Sequence, residues 1–560
     1  MPDQNTTPDL AAAPRRARRA WFRVAAVLVG LAPLVALEIA LRLLDVARPA
    51  AADPAAGFGA APPLFERQGD VWRTARARAP FIAPQEFPAE KPRGGRRAFF
   101  FGGSTVFGHP YLGDTAFPKW LELELAARDP ARAWQAINCG GISYASYRIA
   151  PMVREVLRHQ PDLIVVATGH NEFLEDRTYH VEKNRSALGA WLRRRAAALH
   201  TLALARRIFS RENATPSSAD PAGDAALTPH VNTRLDYESG YASYRRDEGW
   251  ERDVAAQYEE SLHQIVADCW AAGVPLLLVR LGSNLRDCPP YKSEHRAGLP
   301  PTAETDWQAA FDVATATEKT DPARALRLYQ EAAAIDGEHA LLNFRIARLL
   351  DRLGRAAEAR AFFERARDTD ICPLRITAPL ERALLSVARE TATPLVDAAA
   401  VIAARCPDGL AGNDWYVDHV HPTIGGHQLI ARTIAAELHA RDWVAGAADW
   451  PEAARVKTYA AHLATLGPAY FADGRRRVGW LENWAKRQKL AAETLPVDAA
   501  GFARLAFRRL DLGEEDSAWA ALAEALQRDR ATEKLVRARA QQLVAEGRAA
   551  AAEALLRRLE

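Results

Sequence analysis

Cysteine is scarce in this chain, and neither sign of charge dominates it. Five cysteines among 560 residues (Cys139, Cys269, Cys288, Cys372 and Cys406) form no C-x-x-C pair, which leaves no disulfide framework and no thiolate zinc site. Their odd number leaves at least one thiol free or paired between chains. Lys and Arg total 73 against 70 Asp and Glu, and the net charge of +3 offers no basic surface for nucleic acid. Apolar material, in contrast, is plentiful: 49% hydrophobic content at this length fills more than one core.

The N-terminus carries Arg15, Arg16, Arg18, Arg19 and Arg23 ahead of an apolar run from Val24 to Leu37. Glu38 interrupts the run, and Ile39, Ala40, Leu41, Leu43 and Leu44 continue it. About twenty helical residues at ~1.5 Å each just cross the hydrocarbon of a bilayer. Arginines before the span hold their side cytoplasmic, and Trp21 and Phe22 sit where interfacial aromatics belong. Residues 1–20 therefore read as a cytoplasmic basic tail and 21–44 as a single transmembrane signal anchor, with the rest of the chain outside the cytoplasm. The alternative is a cleaved signal peptide cut within the Ala-rich residues 47–56.

Residues 45–92 are rich in Ala, Pro and Arg and read as a linker with little core. Apolar runs follow at Arg97–Phe101, Trp134–Asn138, Leu163–Thr168, Val274–Leu281 and Thr393–Val396. Most are continuous, as in parallel strands buried on both faces. Helical stretches such as Pro118–Ala127, Ile149–His159 and Val254–Ala272 alternate with them. This order predicts an α/β fold, a doubly wound, flavodoxin-like, five-stranded parallel sheet with right-handed crossovers.

Two insertions interrupt the sheet. Residues 176–250 hold a helical, arginine-rich part, Ser186–Ser210, and a Ser/Ala/Asp/Pro-rich part, Arg211–Thr228, that reads as mobile. Residues 304–370 hold a repeat: Ala325, Tyr329, Ala332 and Asp336 recur as Ala359, Phe363, Ala366 and Asp370, each 34 residues on. In the C-terminal helical region, 446–560, Leu512-Gly513 and Glu546-Gly547 keep the same spacing, as do Ala518 and Ala552. This period resembles the tetratricopeptide repeat, a stack of helical hairpins. Two units at each place fall short of the three that stand alone, so each leans on the sheet domain or on the other. Their faces are candidate surfaces for a protein partner.

Four segments with chemical content fall at or just after predicted strand ends: Gly102-Gly103-Ser104-Thr105, Asn138-Cys139-Gly140-Gly141-Ile142-Ser143, Gly169-His170-Asn171-Glu172 and Asp418-His419-Val420-His421-Pro422. In an open parallel sheet the carboxyl ends of the strands share one crevice. The first segment stops an apolar strand at two glycines and presents a hydroxyl, which is a poor nucleophile until a base takes its proton. The last sets Asp418 three residues before His421, the spacing at which a carboxylate orients an imidazole; His419 lacks that partner.

These four blocks, in this order, resemble those of the SGNH (GDSL-type) hydrolases. The resemblance covers residues 93–303 and 371–445, with the repeat pair between them, and the anchored, repeat-bearing layout is similar to a bacterial subgroup. It implies an SGNH hydrolase fold without cofactor or metal. It makes Ser104 the nucleophile, His421 the general base and then acid, and Asp418 the residue that fixes the imidazole. The Asn171 side chain and the Ser104 N–H become oxyanion donors. The second block departs from the family, whose glycine falls near Ser143, so a further N–H comes from either Gly141 or Ser143. The first block reads Gly-Gly-Ser where Gly-Asp-Ser is common, and the third Gly-His-Asn-Glu where Gly-x-Asn-Asp is usual.

The activity so implied is hydrolysis of an acyl ester on the outer side of a bacterial cytoplasmic membrane. The same site suits an O-acyltransferase or deacetylase acting on an acylated envelope polysaccharide, because an acyl-enzyme is resolved by a sugar hydroxyl when water is kept out. A repeat-based scaffold with an inert sheet domain is the alternative outside enzymology. For the substrate, the loop after the fourth strand offers Asn284, Arg286 and Lys292, with His295 and Arg296 beyond. Arg148 and Arg375 are further candidates.

Overall fold

The computed structural model describes residues 36–41, 62–175, 239–406, 408–446, 450–487 and 498–560, with isolated positions between these runs. Most of the expected anchor, 21–44, and most of the 176–250 insertion lie outside the described residues. Residues 36–41 are helical, and among the described residues no helix is long and apolar enough to cross a membrane. The chain divides into two units, 1–56 with 184–224, and 57–183 with 225–560. All that follows concerns the second.

Over its described part, from Pro62 on, the expected linker is ordered instead. It forms an antiparallel sheet of β1 (Phe65–Gln68), β2 (Val71–Thr74) and β3 (Glu86–Pro88). Phe65 and Phe87 meet edge to face at 5.0 Å and share a core with Leu64, Ile82 and Phe99. Strands of three or four residues are too short to show a period in sequence, and they draw stability from the domain they cover.

The main sheet and its helices run β4 (Gly95–Gly102), α1 (Phe117–Arg128), β5 (Ala133–Gly140), α2 (Ser146–Val156), β6 (Leu163–Ala167), α3 (Glu248–Ala271) and β7 (Leu276–Arg280). The inserted helices α4 (Pro301–Thr317), α5 (Pro322–Ile335), α6 (Ala340–Arg352) and α7 (Ala356–Asp368) come next. The sheet then resumes with α8 (Ala378–Glu390), β8 (Leu395–Asp397) and α9 (Ile424–Ala440). The strands stand in the order β8-β7-β6-β4-β5, all parallel. This is the doubly wound, flavodoxin-like order the alternation predicts, with its switch point between β4 and β6. Phe99 and Phe101 pack toward α2, α3 and α8, while Phe100 packs toward α1 and α9; all three are fully buried because both faces are covered.

In the inserted repeat, Ala325, Tyr329, Ala332, Ala359, Phe363 and Ala366 share one core, so the 34-residue period marks where the helices cross. The recurring acids do something else. Asp370 accepts the N–H groups of Tyr291 (2.8 Å) and Lys292 (2.9 Å), and Asp336 accepts that of Arg296 (3.1 Å) and bonds His295 Nδ1 (2.8 Å). The same position in two units thus fastens the second half of the loop after β7, at residues 291–292 and 295–296.

The C-terminal region holds α10 (Glu452–Thr465), α11 (Pro468–Arg487), α12 (Ala499–Asp511), α13 (Glu515–Arg528), α14 (Glu533–Ala545) and α15 (Ala549–Leu556). Gly513 and Gly547, at φ of 70° and 78°, make the left-handed turns that close its two hairpins. Arg508 on α12 donates to the carbonyl of Val417, and Arg477 on α11 donates to that of Pro110 at 2.9 Å. These helices therefore brace the sheet domain beside two of the chemical blocks.

Candidate active site

In register, Gly102 lies opposite Gly140 and Ala167, so β4, β5 and β6 end at one level and deliver the first three blocks to one rim. Ser104 opens a single helical turn straight after β4. The glycines before it are there for room. A Cβ on Gly102 would lie 2.1 Å from the carbonyl oxygen of Ala167, and one on Gly103 would lie 2.2 Å from Asn171 Nδ2. The Asn171 amide is thereby laid against the serine turn. One of its N–H groups goes to the carbonyl of Tyr144 at 3.1 Å, and an amide carries a second. Gly103→Ala must push this amide aside; if Asn171 is an oxyanion donor for acyl esters, turnover is expected to fall by ~10²–10³, the usual cost of losing one. Turnover within about twofold of the parent, in steady-state assays of a folded variant, would show that Asn171 is no such donor.

The fourth block closes on itself. Asp418 Oδ1 accepts the backbone N–H groups of Val420 (2.9 Å) and His421 (2.8 Å), and Oδ2 bonds His421 Nδ1 at 2.5 Å. His421 Nε2 lies 2.7 Å from Ser104 Oγ, across 317 residues of sequence. The His419 ring, by contrast, stands off, its Nδ1 at 3.6 Å from Asp418 Oδ1. Burial works to raise the Asp418 carboxyl, but His421 and His419 beside it hold it well below the usual carboxylate range. An ionised Asp418 keeps the proton on Nδ1 and turns the Nε2 lone pair to the serine.

Three further histidines stand close by: His170 of the third block, and His109 and His427, which escaped the sequence reading. The His109 ring is centred 4.5 Å from that of His421. Burial and then neighbouring imidazoles lower His109 and His170 to about 3, and burial takes His427 to about 3 as well. All three are neutral near pH 7, so they set no charge against a protonated His421. His109 sits five residues after Ser104, and that nearness was the one signal available.

Glu172 was expected only as a conservative change of the third block. It is buried and accepts hydrogen bonds from the Ser146 N–H (3.0 Å), Ser146 Oγ (2.9 Å) and Thr168 Oγ1 (3.3 Å), joining the third block to the start of α2. Burial pushes its carboxyl from 4.5 up to about 7. A raised folded value favours the protonated native state, so this contribution to stability is complete below about pH 4.5 and is lost as pH rises through about 7. Glu172→Gln should flatten the stability profile over that window in denaturant titrations. An unchanged slope would count against a titrating Glu172.

Of the two candidate backbone donors, the Gly141 N–H is committed to the Gly102 carbonyl at 3.0 Å. Ser143 takes the left-handed conformation, φ 61°, that the family's glycine would adopt without strain.

The four expected substrate groups are placed otherwise. Arg148 forms a two-point pair with Glu175, at 2.9 and 2.5 Å. Asn284 donates to Asn413 Oδ1 at 2.9 Å and accepts the Asp287 N–H. Arg286 bonds Asp351 at 3.0 Å and Asp408, and Lys292 donates to the carbonyls of Tyr241 and Tyr244. Arg375 reaches the carbonyls of Asn284 (2.9 Å) and Cys288 (3.1 Å). These groups brace loops and the inserted repeat. Their charge marks contacts between parts of the chain, which one sequence does not distinguish from a binding surface.

Two groups among the described residues bring metal-ligand atoms within 4.8 Å of one another: His109 with Asp418 and His421, and Glu259 with His263 and Glu390. In the first, His421 already bonds Asp418 through Nδ1 and the serine through Nε2.

A tetratricopeptide repeat family model matches residues 316–370. No curated protein matches the chain. Among solved structures the chain is similar to the lipase/acylhydrolase from Enterococcus faecalis, at 12% identity and a TM-score of 0.27, over 62% of this chain and 96% of that one.

Proposed function

We propose that this protein is a serine ester hydrolase of SGNH type, held by residues 21–44 on the outer side of a bacterial cytoplasmic membrane. One observation carries the reading: the unbroken run from Ser104 Oγ through His421 to Asp418, at 2.7 and 2.5 Å. His421 Nε2 takes the serine proton as Oγ bonds the acyl carbon. The oxyanion gathers on Asn171 Nδ2 and the N–H groups of Ser104 and Ser143. The leaving alcohol departs with the proton from His421. Water then gives a proton to His421 as its oxygen bonds the acyl carbon, and His421 returns that proton to Ser104 Oγ as the Oγ–acyl bond breaks and the acid leaves.

The repeat at 316–370 supports a protein partner as an added role. The test is labelling with a fluorophosphonate and mapping of the modified residue, alongside product analysis on a short acyl ester with and without a glycan acceptor. Modification of Ser104 with free acid as product is expected. Acylated glycan would move the reading to acyl transfer, and no modification at Ser104 would end it.

A further inference from the structure

The turn that carries Asp418 and His421 is fixed from two sides. The Val417 N–H donates to the His421 carbonyl at 2.9 Å, which closes the turn on itself. The carbonyls of the residues on either side of Asp418 are taken by other parts of the chain. That of His419 accepts the Asn284 N–H at 2.9 Å, and that of Val417 accepts Arg508 Nε from α12. The Val417 side chain is fully buried with Val478 of α11 and Leu512, just past α12. Arg508 is itself buried, and its Nη2 bonds Glu482 of α11 at 3.1 Å.

The same two helices hold the serine side. The Gly108 and His109 N–H groups both donate to the Ser104 carbonyl, at 2.9 and 3.0 Å, which ties these residues to the serine turn. The His109 ring lies against that of His421, with centroids 4.5 Å apart. Next in the chain, the Pro110 carbonyl accepts Arg477 Nη1 from α11 at 2.9 Å, and the Tyr111 hydroxyl donates to the carbonyl of Asp511, the last residue of α12. Tyr111 lies flat on Gly474 of α11, where a Cβ would stand 2.2 Å from the ring. One pair of helices therefore grips both halves of the Ser104–His421 contact. Anchors on a joined pair fix the distance between what they hold, and a misplacement of about 1 Å costs up to ~10²-fold in rate.

We infer that α11 and α12 set the geometry of the serine–histidine pair, with Arg508 and Arg477 as positioning residues. The inference rests on the serine hydrolase reading above. Each arginine acts through a carbonyl. Arg508 works through Val417 on the Asp418–His421 turn, and Arg477 through Pro110 on the segment that sets His109 against His421. The C-terminal helices are in this way part of the catalytic frame as well as a surface for a partner.

The test compares full-length variants shown to be folded by circular dichroism. Arg508→Met removes the donor to Val417 and keeps the apolar stem, while Arg508→Lys keeps a cation there. Arg477→Met removes the donor to Pro110 at a less buried place, and decides the matter if Arg508→Met does not fold. Leu522→Ala opens a cavity in the C-terminal core, on α13, and leaves both carbonyl contacts in place. Both methionine variants should lower kcat on a short acyl ester by ~10-fold or more, with KM within about twofold, and Arg508→Lys should recover most of that loss. Leu522→Ala should lower the urea midpoint and keep kcat. A kcat within about twofold of the parent in the methionine variants would overturn the inference. So would an equal loss of kcat in Leu522→Ala, which would reduce the effect to stability.

A readout without substrate separates this from the reaction: the far-downfield proton resonance of the His421 Nδ1–H bonded to Asp418. It should shift or broaden in Arg508→Met and stay in Leu522→Ala. A parent that shows the resonance but turns over no ester would end the hydrolase reading alone. A resonance that Arg508→Met leaves unmoved would end the positioning inference alone.

Discussion

Ser104→Ala is expected to lower turnover of short acyl esters by about 10⁴-fold or more, and to abolish fluorophosphonate labelling. The hydroxyl is the atom that His421 Nε2 faces at 2.7 Å, and no other nucleophile stands in that bond. What survives the substitution is the work of the donors alone, which still favour attack by water. The variant should fold as the parent does, because the turn that Ser104 opens has no side-chain capping bond and alanine keeps the Cβ while losing only the hydroxyl. Turnover within about tenfold of the parent would remove Ser104 from the mechanism, and with it the proposed reaction.

The second large effect concerns stability. Glu124 on α1 is fully buried, and one carboxylate serves three partners: Arg128 Nε at 3.0 Å, Arg455 Nε at 2.7 Å and the Tyr459 hydroxyl at 2.7 Å. Arg455 and Tyr459 belong to α10, so this carboxylate joins the C-terminal helices to the sheet domain. Glu124→Ala removes the anion shared by two buried guanidinium groups, and a loss of about 3 kcal/mol is expected, the low end for a broken buried ion pair, because Arg455 keeps Glu452 at 2.5 Å. Glu124→Gln keeps an acceptor and should lose less. Urea unfolding gives the measurement, and a loss below about 1 kcal/mol for the alanine variant would show that the arginines find other partners.

The α/β alternation was legible because buried parallel strands leave continuous apolar runs such as Phe99–Phe101, and because helix and strand periods differ. All five strand positions overlap those observed. The repeats were legible because small residues must recur where helices cross, as Ala325 and Ala359 do. The three short strands after Pro62 were not legible, since Phe65 and Phe87 gain their meaning only against Phe99. Arg286 and Lys292 looked like recognition groups for a related reason: a cation buried against Asp351 or a tyrosine carbonyl is spelled like one that faces a ligand.

The sequence by itself determined the candidate residues and their order, because residue type and local spacing fix what a side chain can donate or accept. It also fixed the Asp418–His421 pair, whose contact lies within one turn. Only the tertiary structure decided that Ser104 meets His421, that Gly141 is committed to Gly102 while Ser143 is turned, and that the C-terminal repeat holds the carbonyl of Val417 beside the histidine turn. Contacts between distant segments depend on strand order and register, and a linear chain carries no local mark of either.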